Sequence, residues 1–199
     1  MFASALRSRW TALAAILAGL MVSGGVVWEA SYSAFSATTT SPTSNWSSGT
    51  VALSDDDSNT ALFTASNLKP GSTGSKCIAV TSTGSLPSTV KLYGTGAATT
   101  NALSTYVNLT ITQGTGGTFA GGCTGFTPLG TGSSVYSGTL AGFASTATGF
   151  ASGLGTWAPT GSGSETRVFQ LSYTLDPAVP NSAQAGTAAL GFTWEAQNS

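Results

Sequence analysis

The run from Tyr106 to Thr112 alternates strictly. Val107, Leu109 and Ile111 fall on one side, and Asn108, Thr110 and Thr112 on the other. A period of two sends successive side chains to opposite faces of an extended chain, so this run reads as a strand with one buried and one wet face. The same grammar recurs along the chain. Thr50 to Ser54 and Thr60 to Ala65 read as short strands on either side of the acidic turn Asp55-Asp56-Asp57-Ser58-Asn59. Lys76 to Thr83 puts Ile78 and Val80 on one face and Cys77, Ala79 and Thr81 on the other. Thr89 to Tyr93, Glu165 to Leu175 and Thr187 to Ala196 follow as further strands. Ile, Val and Thr are stiff at Cβ and suit a pleated surface. Gly94 to Asn101 reads as a flexible link, Gly114 to Gly125 as a Gly-rich hairpin, Gly153 to Gly163 as a loop and Pro177 to Gly186 as a long turn. One segment breaks the pattern: Ser137 to Ala151 spaces Leu140, Phe143, Ala144 and Ala147 for one short helix laid over an open end of the sheets.

Composition narrows the class. Only 7% of the residues are charged and 26 are glycine, which does not suit a helix bundle with charged outer faces. The aliphatic and aromatic content is too high for a disordered chain. Many short β segments separated by Gly/Ser/Thr clusters point to an all-β sandwich or barrel, with α structure limited to the one short helix.

The N-terminus carries a different message. Arg7 and Arg9 precede an almost wholly apolar run, Trp10 to Val27, and small residues stand at Ser31 and Ser33. This is the layout of a signal-peptide helix over 1–33, with cleavage between Ser33 and Ala34 by signal peptidase. A retained membrane anchor is the competing reading, because the apolar run approaches membrane-spanning length. Residues 34–48 form a polar, Thr/Ser-rich N-terminal arm interrupted by Pro42, which reads as a loose arm or an edge strand. Residues 49–199 are long enough for one core and one sandwich domain. Beyond the leader, four cations stand against six acids, a net charge of −2. Four scattered cations make no basic patch, so nucleic acid is not an expected partner.

Cys77 and Cys123 are the only cysteines. Behind a secretory leader they read as one structural disulfide, contributing about 4 kcal/mol through the long loop it closes. A redox or metal pair would need closer spacing or further ligands. The chain has no histidine, so Ser-His-Asp, Cys-His and HExxH arrangements are all impossible. Glu165, Asp176 and Glu195 are the carboxylates left for hydrolytic chemistry, and they stand at strand ends, where charge usually marks solvent. No catalytic residue and no cofactor site is assigned, and the chain is not read as an enzyme. Asp55, Asp57 and Asn59 begin like a calcium loop, but Thr60 stands where such a loop has Gly and Ser66 where it has Glu. A solvated turn is the preferred reading, with calcium left open and no metal residue assigned.

Several motifs occur in order behind the leader: Ala34-Phe35-Ser36, Gly49-Thr50-Val51-Ala52-Leu53, the turn Asn67-Leu68-Lys69-Pro70-Gly71, and Thr83-Gly84-Ser85-Leu86. In that order they resemble the TasA/camelysin family of secreted bacterial biofilm-matrix fibre proteins. Asn181-x-x-Gln184 before the last strand also looks like the C-terminal part of that family. The resemblance implies a jelly-roll-like antiparallel β-sandwich. It also implies a secreted structural subunit in the extracellular matrix or at the cell surface, which polymerises with itself head-to-tail by donor-strand exchange. The donor would be Ala34, Phe35, Ser36, Ala37, Thr38, Thr39 and Thr40, continuing to about Trp46. Ala37 replaces the acidic residue usual after Ala-Phe-Ser. A matrix polysaccharide or an accessory fibre protein would be a further partner. The resemblance does not carry the metalloprotease activity linked to camelysin by name, since no histidine is present. The alternative is a monomeric cell-surface carbohydrate- or ligand-binding sandwich, with Trp157 as an exposed stacking platform.

Overall fold

The computed structural model describes residues 48–198. The expected signal peptide, the expected cleavage between Ser33 and Ala34, and the expected donor residues Ala34 to Thr40 lie outside them. The described chain forms eight strands: β1 (Leu53–Asp55), β2 (Thr73–Ser82), β3 (Ser88–Thr99), β4 (Val107–Thr115), β5 (Thr127–Pro128), β6 (Ser134–Thr139), β7 (Glu165–Leu175) and β8 (Ala188–Asn198). One helix, α1 (Leu140–Thr146), follows β6 directly. The first sheet runs β1-β2-β7-β4, with β6 and β5 both along the far side of β4; the second consists of β3 and β8. Every pairing is antiparallel. The fold is an all-β sandwich with one short helix, and no described helix is long and apolar enough to cross a membrane.

Alternation builds the core. Ile78 and Val80 from β2, Phe169 and Leu171 from β7, and Leu109 and Ile111 from β4 line the inner face of the first sheet, all nearly inaccessible. Val90 and Leu92 answer from β3. Each such side chain contributes about 1.5–3 kcal/mol on burial. The Phe169 ring meets Trp194 of β8 at 5.3 Å, and Phe143 of α1 meets Phe192 at 5.7 Å. Thr139 caps α1, its hydroxyl accepting from the Gly142 N–H at 3.0 Å. This cap turns the chain from β6 into the helix and drives Phe143 fully into the core.

Two expectations need correction, and two further features go beyond the sequence reading. Thr60 to Ala65 is not a strand: β1 pairs with β2, and the chain from Asp56 to Ser72 is a loop. Leu62 and Phe63 are neighbours that both pack on the core, with Phe63 edge-on to Tyr173 at 5.1 Å, whereas a strand would send them to opposite faces. Gly94 to Asn101 is not a free link, because β3 runs on to Thr99 through a register shift between Thr95 and Ala98. The shift falls where Gly96 has φ 62°, a conformation glycine takes at little cost. Ser134 to Thr139 is a strand with no counterpart in the sequence reading. Finally, the stretch 154–159 is irregular, yet it lies along β3 and bonds to it.

Two sequence motifs meet in space. Ser85 N–H donates to the Thr50 carbonyl at 2.8 Å, and Thr50 N–H to the Ser85 hydroxyl at 2.9 Å. Gly84 sits under this crossing, where a Cβ would come within 2.6 Å of the Thr50 carbonyl oxygen. The Asn67 to Gly71 turn closes with Ser72 N–H on the Lys69 carbonyl at 2.8 Å, with Pro70 and a positive-φ Gly71 (81°) at its corners.

Candidate functional site

The pairing pattern leaves the sandwich with sheet edges, and these differ in how they are finished. β3 is covered on the side away from β8. Its Ser88, Val90, Leu92 and Gly94 N–H groups donate to the carbonyls of Pro159, Trp157, Leu154 and Ala147 at 2.8–3.0 Å. These even-numbered residues therefore point away from β8, and the odd ones, Thr89, Lys91 and Tyr93, exchange bonds with Gln197, Glu195 and Thr193. It follows that the N–H and C=O groups of Phe192, Trp194 and Ala196 point to the other side of β8, where no described residue bonds to them. β1 approaches one end of β8 without pairing to it.

Among the described residues β8 is thus an eleven-residue edge strand. The other outermost strands are short: three residues for β1, two for β5 and six for β6. Exposed edges are normally kept short or defended by charge, proline or cover. β8 carries one charged residue and no proline. That charge, Glu195, is engaged on the outer face: it accepts from Gln197 Nε2 and from the Tyr93 hydroxyl, both at 2.8 Å. The Gln197 bond, then the Tyr93 bond, hold its carboxyl below the ordinary range, and the same contact raises the Tyr93 hydroxyl. Leu190, Phe192, Trp194 and Ala196 face inward yet are only half-buried. Trp194 Nε1 is buried and has no acceptor among the described residues. Among the described residues this side of the core is apolar, incompletely covered and bordered by backbone without a partner.

The β2 edge is finished differently. β1 covers Val80 to Ser82. Next to it, the Asp56 carboxylate accepts from Ala79 N–H and from Phe119 N–H, both at 2.8 Å. Cys77 and Cys123 stand as a disulfide, with Cα atoms 5.1 Å apart.

The remaining candidates are dispersed. Asp57 accepts from Asn59 N–H at 2.8 Å and Asp55 from Asp57 N–H at 3.4 Å, so the acidic turn is held by its own backbone. Burial, then the hydrogen bond and charge of Asp57, raise the Asp55 carboxyl. Among the described residues no group of three or more His, Cys, Asp or Glu is placed to hold a metal ion. Glu165 binds Thr160 through both its N–H and hydroxyl, and these bonds, the hydroxyl first, lower its carboxyl. Asp176 accepts from Ala178 N–H at 2.8 Å. Glu165, Asp176 and Glu195 thus have separate partners, and Glu195 stands within the β8 ladder instead of at the strand end expected of it. Trp157 is 4% exposed, so the stacking platform expected of it is overturned: its loop lies along β3 and folds the ring into the core. A shallow groove of about 300 Å³ between α1 and the paired ends of β3 and β8, lined by Ala98, Leu140, Ala144 and Leu190 among others, holds no titratable side chain. The β8 edge could have been suspected from the low charge of the last strand, but which side of that strand stays unpaired depends on register. No protein-family profile matches this chain, and no curated protein matches it.

Proposed function

We propose that the protein is a secreted structural subunit of extracellular biofilm-matrix fibres, assembling head-to-tail by strand donation, as its resemblance to the TasA/camelysin family implies. The observation that carries this reading is the β8 edge: eleven residues, one charge, backbone groups at Phe192, Trp194 and Ala196 that bond to no described residue, and an apolar side of the core that the described residues cover incompletely. An extended peptide added to such an edge gains main-chain hydrogen bonds for affinity, and alternate side chains for register. The donor is the segment from Ala34 to about Trp46 of a neighbouring copy, with Phe35 and Trp46 as apolar anchors. Donation in one direction does not close on itself, so it yields a filament rather than a dimer. Export through the leader places assembly outside the cell, in the matrix or at the surface, where a matrix polysaccharide or an accessory fibre protein joins it.

The test is electron microscopy of purified protein beginning at Ala34. It is expected to form filaments, and deletion of 34–44 is expected to abolish them while leaving a folded, disulfide-bonded monomer. Filaments of the same form from the shortened chain would refute strand donation.

A further inference from the structure

The hairpin of residues 116–125 leaves β4 and is tied at Cys123 to Cys77 of β2, so it crosses the outer face of β7 on the way. Val168 of β7 points outward there, opposite to the inward Phe169. It stands between Ala79 and Gly114 in the ladder, and it is buried. Five of the ten hairpin residues are glycine, and Gly116, Gly117, Gly122 and Gly125 take positive φ. Ordering glycine costs more backbone freedom than ordering any other residue. Against that cost the hairpin sets little of its own. Thr118 N–H donates to the Gly122 carbonyl at 3.0 Å, and Gly121 N–H to the Thr118 hydroxyl at 2.9 Å. Its one large apolar side chain, Phe119, packs against the core with the ring 5.1 Å from Lys76 Nζ, and Phe119 N–H donates to Asp56 at 2.8 Å. The covalent anchor is the bond to Cys77. The sheet beneath is built without the hairpin: β7 pairs with β2 over ten residues and with β4 over eight.

We propose that this hairpin is a redox-latched flap: closed by the disulfide it seals Cys77 and Val168, and with the bond open it lifts off β7 while the sandwich stays folded. Oxidation is then the last step of closure, and its partner is an external disulfide. In the open form the Cys123 thiolate attacks one sulfur of that disulfide, forms a mixed disulfide and expels one thiolate. Cys123 reacts first because it rides on the glycine-rich segment, whereas Cys77 is fixed in β2. The Cys77 thiolate then attacks Cys123 Sγ, closes the native bond and expels the second thiolate. The external disulfide takes up two electrons and ends as two thiols, with the protons the two cysteines gave up. A dithiol runs the same steps in reverse. It starts on Cys123 Sγ, because Cys77 is fully buried in the closed form and Cys123 only half-buried. The Asp56 carboxylate is a second anchor of the flap, and its bond to Ala79 N–H involves no hairpin atom, so it outlasts opening. This inference does not depend on strand donation at β8.

The test is amide exchange and cysteine alkylation of the purified protein before and after dithiothreitol. After reduction, exchange at Thr118 and Phe119 is expected to rise at least tenfold, and both thiols to react with iodoacetamide without denaturant. Ala79, held by Asp56, and Phe169 and Leu171 of β7 are expected to stay protected. Oxidised glutathione added to the reduced, unalkylated protein is expected to restore protection at Thr118 and Phe119. Unchanged exchange at those two residues after reduction would mean that the flap holds itself, and would overturn the latch. Loss of protection across β7 and β4 together would make the bond a support of the whole fold and overturn it equally. The double variant Cys77→Ala/Cys123→Ala, without reductant, is expected to repeat the reduced pattern, and a protected Thr118 there would overturn the proposal. Asp56→Ala with the bond intact is expected to raise exchange at Ala79 and Phe119 and leave Thr118 protected. Exchange at Thr118 as fast as in the reduced protein would assign the latch to the carboxylate and overturn control by the disulfide.

Discussion

β2 and β8 are both long strands with one side turned away from their own sheet, and the chain treats them oppositely. At β2 a carboxylate from one loop, and a disulfide and an aromatic side chain from one hairpin, converge on the residues between Lys76 and Ala79. At β8 nothing among the described residues does so, and the inward side chains there are half-buried where those of β2 are sealed. The difference teaches where cover comes from. Closing an edge takes groups from elsewhere in the chain, and among the described residues β8 receives none.

The largest expected effect comes from the ring that joins the two sides. Phe169 lies opposite Ile78 of β2 and against Trp194 of β8. Phe169→Ala is expected to cost about 3–5 kcal/mol in denaturant unfolding, whereas Phe192→Ala, at a half-buried position, should cost roughly half as much. Equal losses would mean that the β8 side is packed as fully as the β2 side. The next effect isolates the cover at β2. Asp56→Ala removes two hydrogen bonds to a charged acceptor and is expected to cost about 1.5–3 kcal/mol, against less than about 1 kcal/mol for Asp57→Ala, whose carboxylate only turns back on Asn59.

A proline distinguishes the two sides of β8 itself. Ala196→Pro deletes an N–H that has no described partner and is expected to change stability by about 1 kcal/mol or less while abolishing filaments. Glu195→Pro removes a bond to β3 and is expected to cost about 3 kcal/mol. Filaments from a folded Ala196→Pro protein would move the acceptor away from β8. The smallest effect is in acid. The carboxyl of Glu195 is held below the ordinary value of 4.5 by Gln197 and Tyr93. A carboxyl lowered in the native state stabilises the fold above its unfolded value, and that contribution is lost as pH falls through the native value. Glu195→Gln should therefore make the decline in Tm below about pH 4.5 slightly shallower, measured by thermal melts from pH 6 to 3.

Alternation and turn chemistry made much of the sandwich legible. The faces of β2, β4 and β7 follow directly from Ile78, Leu109 and Phe169 with their period-two neighbours, and the Pro70-Gly71 corner from its own residues. The misses share one cause. Leu62-Phe63 looks like a strand because both are apolar, but each was anchored by the core. Trp157 looks exposed because its neighbours are Gly, Ala, Pro and Thr, but an irregular segment bonded along β3 buries it. Ser134 to Thr139 is too polar to announce a strand, and it pairs because β4 offers it a partner.

What the amino-acid sequence determined by itself was the local alphabet: which runs extend, which residues turn, which face of each strand is apolar, and that catalysis by histidine is impossible. Those properties depend on side-chain shape and spacing within a few residues. Which edges are closed was decided only by the tertiary structure. Asp56 meets Ala79 and Phe119, and Cys77 meets Cys123, across tens of residues of chain. β8 turns the backbone of Phe192, Trp194 and Ala196 outward because its register on β3 spends the bonds of Thr193, Glu195 and Gln197. A hydrogen-bonding direction belongs to a pair of strands, and no single segment carries it.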